Sequence, residues 1–247
     1  MNVRRVAGTN GWLWIVQAFR LVRKKPLGWL AIHLLLLVMI VGMLQIPVIG
    51  AYALCLLTPV FLGGLMTAAT DIEAGRNLPL NAIFRGFHYR LASLVTIGGV
   101  YLVGQVLISG TMLAVGGPEF RQTVQTFVAG GDPASISPEA ASHIMSAMLV
   151  GMALMVPLMM AMCFAPALVM LDELSGWRAM QWSLRASLAN LLPLTLYSMA
   201  SSALLMIALI PRGAGLVLWL PLMGMSLFTS YRDVFANQAD RPGNSTK

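Results

Sequence analysis

The chain has 247 residues, of which 58% are hydrophobic and 10% charged, and it carries a net charge of +7. Soluble domains average about 25% charged residues, so the composition excludes an ordinary soluble protein and makes lipid the solvent. Nor is the positive balance a nucleic-acid footprint, because the basic residues flank apolar stretches instead of forming a separate basic face.

Trp12, Ile15, Val16, Phe19 and Val22 recur at helical spacing opposite Gln17, Arg20 and Lys24, which predicts an amphipathic helix at a membrane surface. The apolar run that follows, Leu27 to Leu44, exceeds the roughly 7–15 residues of a signal-peptide core. It ends in Gln45-Ile46-Pro47, with no small-residue cleavage site, and reads as a retained first span. A bilayer core takes about 20 helical residues, so the uncharged run must fold into two spans, 27–45 and 51–70, turning at Pro47 and Gly50. Leu80, Ile83, Phe84 and Phe87 then oppose Asn81, Arg85 and His88 in a second interfacial pattern before a third span, 91–115.

Residues 116–142 form the one sizeable segment expected outside. Phe120, Val124, Phe127 and Val128 predict a short surface helix there, broken at Gly130-Gly131-Asp132-Pro133. Ser137-Pro138-Glu139 signals a new helix start leading into the fourth span, 143–171. A third interfacial pattern sets Trp177, Met180, Leu184 and Leu188 against Arg178, Gln181 and Arg185. The fifth and sixth spans, 190–210 and 213–231, are joined by the tight turn Pro211-Arg212-Gly213. Residues 237–247 are polar and aperiodic, as in a disordered tail.

The predicted architecture is an all-α polytopic bundle over 1–236: an interfacial helix plus a transmembrane hairpin, three times over. Each hairpin ends in acid: Asp71 with Glu73, Asp172 with Glu173, and Asp233. Of sixteen Lys and Arg residues, all but Arg121 and Arg212 fall in alternate gaps between spans. Basic short loops stay cytoplasmic, which puts both termini, 71–90 and 172–189 inside and 116–142 outside. Arg20, Arg23, Lys24, Lys25, Arg85, Arg178 and Arg185 form a candidate lipid-headgroup collar, with Trp12, Phe84 and Trp177 as interfacial aromatics.

Residues that could carry chemistry are sparse. His33, His88 and His143 are far apart and lack a second ligand at metal spacing, so no metal or cofactor is expected. Cys55 and Cys163 lie in apolar stretches and read as small hydrophobes rather than a disulfide. Apart from His33, and His143 at the very start of the fourth span, no span holds a histidine or a charged residue, which argues against an ion-coupled transporter. Tyr101, Gln105 and Ser109, like Ser198, Ser201 and Ser202, read as glue between helices, or else as the lining of a small-molecule path. Pro59, Pro157, Pro166 and Pro193 predict kinks. Met145, Met148, Met152, Met155, Met159 and Met162 share one seam of the fourth helix; the expectation is packing, with a soft Cu(I) site as the rival.

Gly11-Trp12-Leu13-Trp14-Ile15-Val16, Phe19 to Pro26, Trp29, Thr58 to Met66 and Phe84-Arg85-Gly86-Phe87 together resemble a family of uncharacterised proteobacterial six-span inner-membrane proteins. A looser similarity of plan extends to the membrane domain of some glycerophosphodiester phosphodiesterases. The resemblance covers mainly residues 11–90 and implies a bacterial inner-membrane location, with no catalytic residue carried over. The expected function is non-catalytic: organising membrane lipids or partner proteins through the cytoplasmic collar. The alternative is a transporter or channel for a neutral or amphipathic small molecule.

Overall fold

A computed structural model describes residues 2–128 and 138–235, and within them there are helices and no strand. In chain order they are α1 (Asn10–Lys24), α2 (Pro26–Leu44), α3 (Ile49–Glu73), a 3₁₀ turn (Leu80–Phe84), α4 (Arg85–Tyr89), α5 (Leu91–Val128), α6 (Pro138–Cys163), α7 (Ala165–Leu171), α8 (Gly176–Ala189), α9 (Leu191–Leu209) and α10 (Leu216–Phe235). The break at 130–133, the Ser137 cap, the tail and the side chains of Phe127 and Val128 lie outside the described residues.

Five stretches are long and apolar enough to cross a membrane: Pro26–Leu44, Ile49–Glu73, Leu91–Thr126, Ala141–Leu171 and Leu191–Leu209. The segment expected as the sixth span falls on α10, which is 20 residues long but is not among the five. Its C-terminal half carries Ser226, Thr229, Ser230 and Tyr231, and all four are buried. Thr229 donates from its hydroxyl to the Trp14 carbonyl of α1 at 2.8 Å, so the polar side of α10 faces a helix rather than open surroundings.

Three one-residue breaks repeat along the chain. Lys25 separates α1 from α2 with φ −145° and ψ 63°, Arg90 separates α4 from α5 with φ −142° and ψ 33°, and Asn190 separates α8 from α9 with φ −127° and ψ 38°. Pro26 explains the first, since proline pushes the residue before it out of helical geometry and is itself favourable at the first helical position. Each short helix also presses a glycine onto the backbone of another helix. A β-carbon on Gly11 would stand 2.4 Å from the Pro193 carbonyl oxygen, one on Gly86 2.3 Å from that of Val60, and one on Gly176 2.3 Å from that of Ser93. The middle member is irregular, a 3₁₀ turn followed by five α-helical residues rather than one continuous helix.

The faces buried against other helices coincide only partly with the apolar faces of the surface-helix patterns. On α1, Gly11, Trp14, Ile15, Ala18 and Leu21 are buried, while Trp12 and Phe19 are 53% and 52% exposed. On α8 the buried residues are Gly176, Ala179, Met180, Ser183, Ala186 and Ser187, and Leu188 is exposed. Small residues point inward because they let backbones approach; in lipid a large apolar side chain has no need of burial.

The chain divides into two compact units, Met1–Gly98 with Met160–Lys247, and Gly99–Met159. In the first, Trp14, Trp29, Phe164 and Phe228 are fully buried. The α2–α3 turn places Val48 at φ 65°, and Arg212 and Gly213 (φ 53° and 83°) make the expected turn before α10. α6 stops at Cys163, and α7 restarts with Pro166 in its first turn. The Ser183 hydroxyl enters this break, accepting from the Phe164 N–H at 2.9 Å and donating to the Met160 carbonyl at 2.7 Å. By contrast α3 runs on through Pro59 and α6 through Pro157.

In the second unit the helical path bends at Gly117 (φ 64°), just before Pro118, and the segment expected as a surface helix continues beyond it. Gly104 lies against Leu158 and Gly151 against Met112. Gln105 donates to the Tyr101 hydroxyl at 2.7 Å along one helix. The methionine seam turns outward: Met145, Met148, Met152 and Met159 are each more than half exposed. The expectation that it fills gaps inside the bundle is corrected accordingly.

Candidate functional site

Asp71, Glu73, Asp172, Glu173 and Asp233 hold charged and polar partners within the first unit. Asp71, at the end of α3, is buried and accepts from Arg76 Nε at 2.8 Å on one oxygen and from Arg85 on the other. Glu73 pairs with Arg232 of α10. Glu173, held at φ 56° just past α7, pairs with Arg90 at 2.5 Å. Asp172 beside it accepts from the Tyr231 hydroxyl at 2.5 Å.

Asp233 closes the set. It accepts from Asn10 Nδ2 at 2.6 Å, from the Trp14 indole at 2.9 Å and from Arg4 at 3.4 Å. The N-terminal strand of chain is fastened further by Asn190, whose side chain accepts from Val6 N–H and donates to the Arg4 carbonyl, both at 2.9 Å. Asn190 thus ends α8, opens α9 and anchors residues 4–6.

These contacts sort the basic residues into two groups. Arg4, Arg76, Arg85, Arg90 and Arg232 are paired with acids. Arg20, Arg23, Lys24, Lys25, Arg178 and Arg185 are exposed and make no ion pair among the described residues. Arg23 lies over the Phe19 ring and Arg185 over Trp182, at 5.7 and 5.4 Å, contacts that leave their charge unneutralised. Six of the seven predicted collar residues are therefore open. The seventh, Arg85, also pairs through one nitrogen with Asp71, fourteen positions earlier.

The aromatic predictions also divide. Trp12 is exposed, as is Trp177 at 59%. Phe84 is half-buried in a cluster with Phe61 and Phe87, at ring separations of 6.4 and 6.2 Å. His33 is buried, with Nδ1 2.9 Å from the Trp29 carbonyl one turn back. Cys55 and Cys163 are free thiols, and among the described residues no group of His, Cys, Asp or Glu could hold a metal ion.

Between the paired arginines lies a feature the sequence did not announce. A cleft of about 730 Å³ is lined by Thr67, Asp71, Arg76, Arg85, Tyr89, Arg90, Met170 and Glu173. Its walls come from the end of α3, the loop after it, α4, the Arg90 break and the end of α7. Residues from positions 67 to 173 converge there, so no local spacing could have disclosed it.

Five helices of membrane-crossing length and hydropathy make this chain a multi-pass membrane protein. No family model matches it, and no solved structure does. A protein of Burkholderia thailandensis named as a probable inner membrane protein is 26% identical over 211 residues, covering 83% of this chain and 76% of that protein. The similarity agrees with the expected membrane class and carries no link to glycerophosphodiester phosphodiesterases.

Proposed function

We propose that this chain is a six-span inner-membrane protein, not an enzyme, that gathers anionic lipid headgroups at its cytoplasmic surface. Both termini, 71–90 and 172–189 lie on that side and 116–142 on the other, an orientation supported by the one-sided distribution of Lys and Arg. The relative's name supports the inner-membrane location. α10 serves as the sixth span: its polar residues are buried, which spares them contact with lipid. The short helices α1 and α8 lie at the headgroup layer, with small residues inward and exposed Trp12 and Trp177 toward lipid.

One observation carries the reading. Among the described residues the acids of the first unit take up Arg4, Arg76, Arg85, Arg90 and Arg232 and leave the collar residues Arg20, Arg23, Lys24, Lys25, Arg178 and Arg185 exposed and without an ion pair. Each basic residue near an anionic surface contributes about 1 kcal/mol.

Tryptophan quenching in proteoliposomes by brominated phosphatidylglycerol, compared with brominated phosphatidylcholine, tests it. The native protein prefers the anionic lipid, and changing Arg20, Arg23, Lys24 and Lys25 together to Gln reduces that preference. Equal quenching by both lipids in the native protein contradicts the proposal, and substrate-dependent flux through the same vesicles favours the transporter alternative.

A further inference from the structure

We infer that the cleft between α3, α4 and α7 is a binding site for an organic phosphate, and that in the membrane its occupant is the phosphate of an anionic phospholipid. The inference rests on the orientation proposed above but on different residues from the collar.

Three guanidinium groups and two carboxylates line the cleft, so its fixed side chains sum to one positive charge. Each arginine offers five N–H donors, and the acids engage few of them. Arg85 spends one nitrogen on Asp71, Arg90 spends one on Glu173, and Arg76 directs two at a single Asp71 oxygen. The remaining donors belong to planar forks suited to phosphate oxygens. A carboxylate ligand would satisfy fewer of them than a tetrahedral phosphate with three or four oxygens. Asp71 has a second role here. Being buried beneath Arg76 and Arg85, it holds both guanidiniums in place before any ligand arrives, which limits the ordering cost of binding.

Size and surroundings argue for more than a free anion. A volume of about 730 Å³ falls in the range that accommodates an organic ligand rather than a bare ion. Tyr89 and Met170 give the cleft lining an aromatic ring, 74% exposed, and an apolar side chain beside the guanidiniums. Leu91, next in the chain to Arg90, is 40% exposed, so apolar surface that an acyl chain can contact adjoins the charged residues. Glu173 differs from Asp71: its side chain is 76% exposed, among the described residues it is tied only to Arg90, and it occupies the cleft as a competitor that an incoming phosphate would displace.

The purified full chain in detergent is titrated with dioleoyl phosphatidic acid and followed by native mass spectrometry. Dioleoylglycerol, with the same tails and no phosphate, is the control. One phosphatidic acid is retained per chain. Arg90→Gln lowers the apparent affinity by about tenfold, the value of one charge-assisted contact, while Glu173→Gln raises it severalfold. These opposite directions separate a site from an ion pair that merely supports the fold, since both substitutions break the same pair. Displacement of the lipid by millimolar inorganic phosphate supports the phosphate chemistry with a soluble source; resistance to it supports the lipid source.

Equal retention of dioleoylglycerol, or unchanged affinity in Glu173→Gln, overturns the inference, and the latter variant decides even where Arg90→Gln does not fold. Changing Arg20, Arg23, Lys24 and Lys25 to Gln leaves the single retained lipid in place. Loss of that lipid in the collar variant, with none in Arg90→Gln, refutes the cleft while sparing the collar.

Discussion

The Ser183 hydroxyl donates to the Met160 carbonyl at 2.7 Å across the gap where α6 gives way to α7. In an unbroken helix that carbonyl would accept from the Phe164 N–H, which instead donates to Ser183 at 2.9 Å. One side chain from α8 restores both halves of a hydrogen bond lost at the break before Pro166. Ser183→Ala leaves a buried donor unmet, and its expected cost is about 1–3 kcal/mol. Ser187 also reaches the Met160 carbonyl, at 3.2 Å, so Ser187→Ala costs less. Thermal unfolding in detergent checks the order; a larger loss for Ser187→Ala counts against this account of the break.

Asp233 holds α1 against α10 through the Trp14 indole, Asn10 and Arg4. Asp233→Ala strands the indole N–H of a fully buried tryptophan, a loss of about 2 kcal/mol or more because the acceptor is charged. Hydrogen exchange is the measurement. α1 amides exchange faster in this variant, while α3 amides keep their native rates.

Gly11→Ala, Gly86→Ala and Gly176→Ala should each destabilise by about 1–3 kcal/mol, since every added methyl meets a backbone carbonyl within 2.4 Å. A β-carbon on Gly42 or Gly110 would meet nothing within 4 Å beyond its own helix backbone among the described residues. Alanine there should be neutral or stabilising by about 0.5–1 kcal/mol, the helical cost of glycine. Unfolding temperatures of the five variants test the contrast, and a uniform response defeats it.

The outward methionine seam gives a negative prediction. Met148→Leu and Met152→Leu should change stability by under about 0.5 kcal/mol each, as exposed substitutions do. Stoichiometric Cu(I) binding that disappears in the double variant would establish the rival reading of the seam.

Helix positions were legible in the sequence because hydropathy and charge act over long windows: the first five expected spans fall on helices long and apolar enough to cross a membrane, and Pro47 and Pro211 lie between helices. Inward faces were less so. Trp12, Phe19 and Leu188 carry the size and hydropathy that mark a core in water, yet Gly11, Ala18 and Ser187 are the buried residues. Hydropathy likewise gave no sign that the α10 hydroxyls are met by groups such as the Trp14 carbonyl. The pairing of Arg85 was hidden for a simpler reason: a charge pattern does not reveal which acid will take which base. Its partner Asp71 and the cleft around them depend on how α3, α4 and α7 meet.

The account depends most on which side of the membrane the basic residues occupy, and alkaline phosphatase fusions report this directly. Fused after Gly131, the reporter should be active, because 116–142 is placed outside; fused after Arg90 or Lys247 it should be inactive. High activity at Arg90 would put the cleft on the wrong face, and high activity at Lys247 would contradict the six-span orientation.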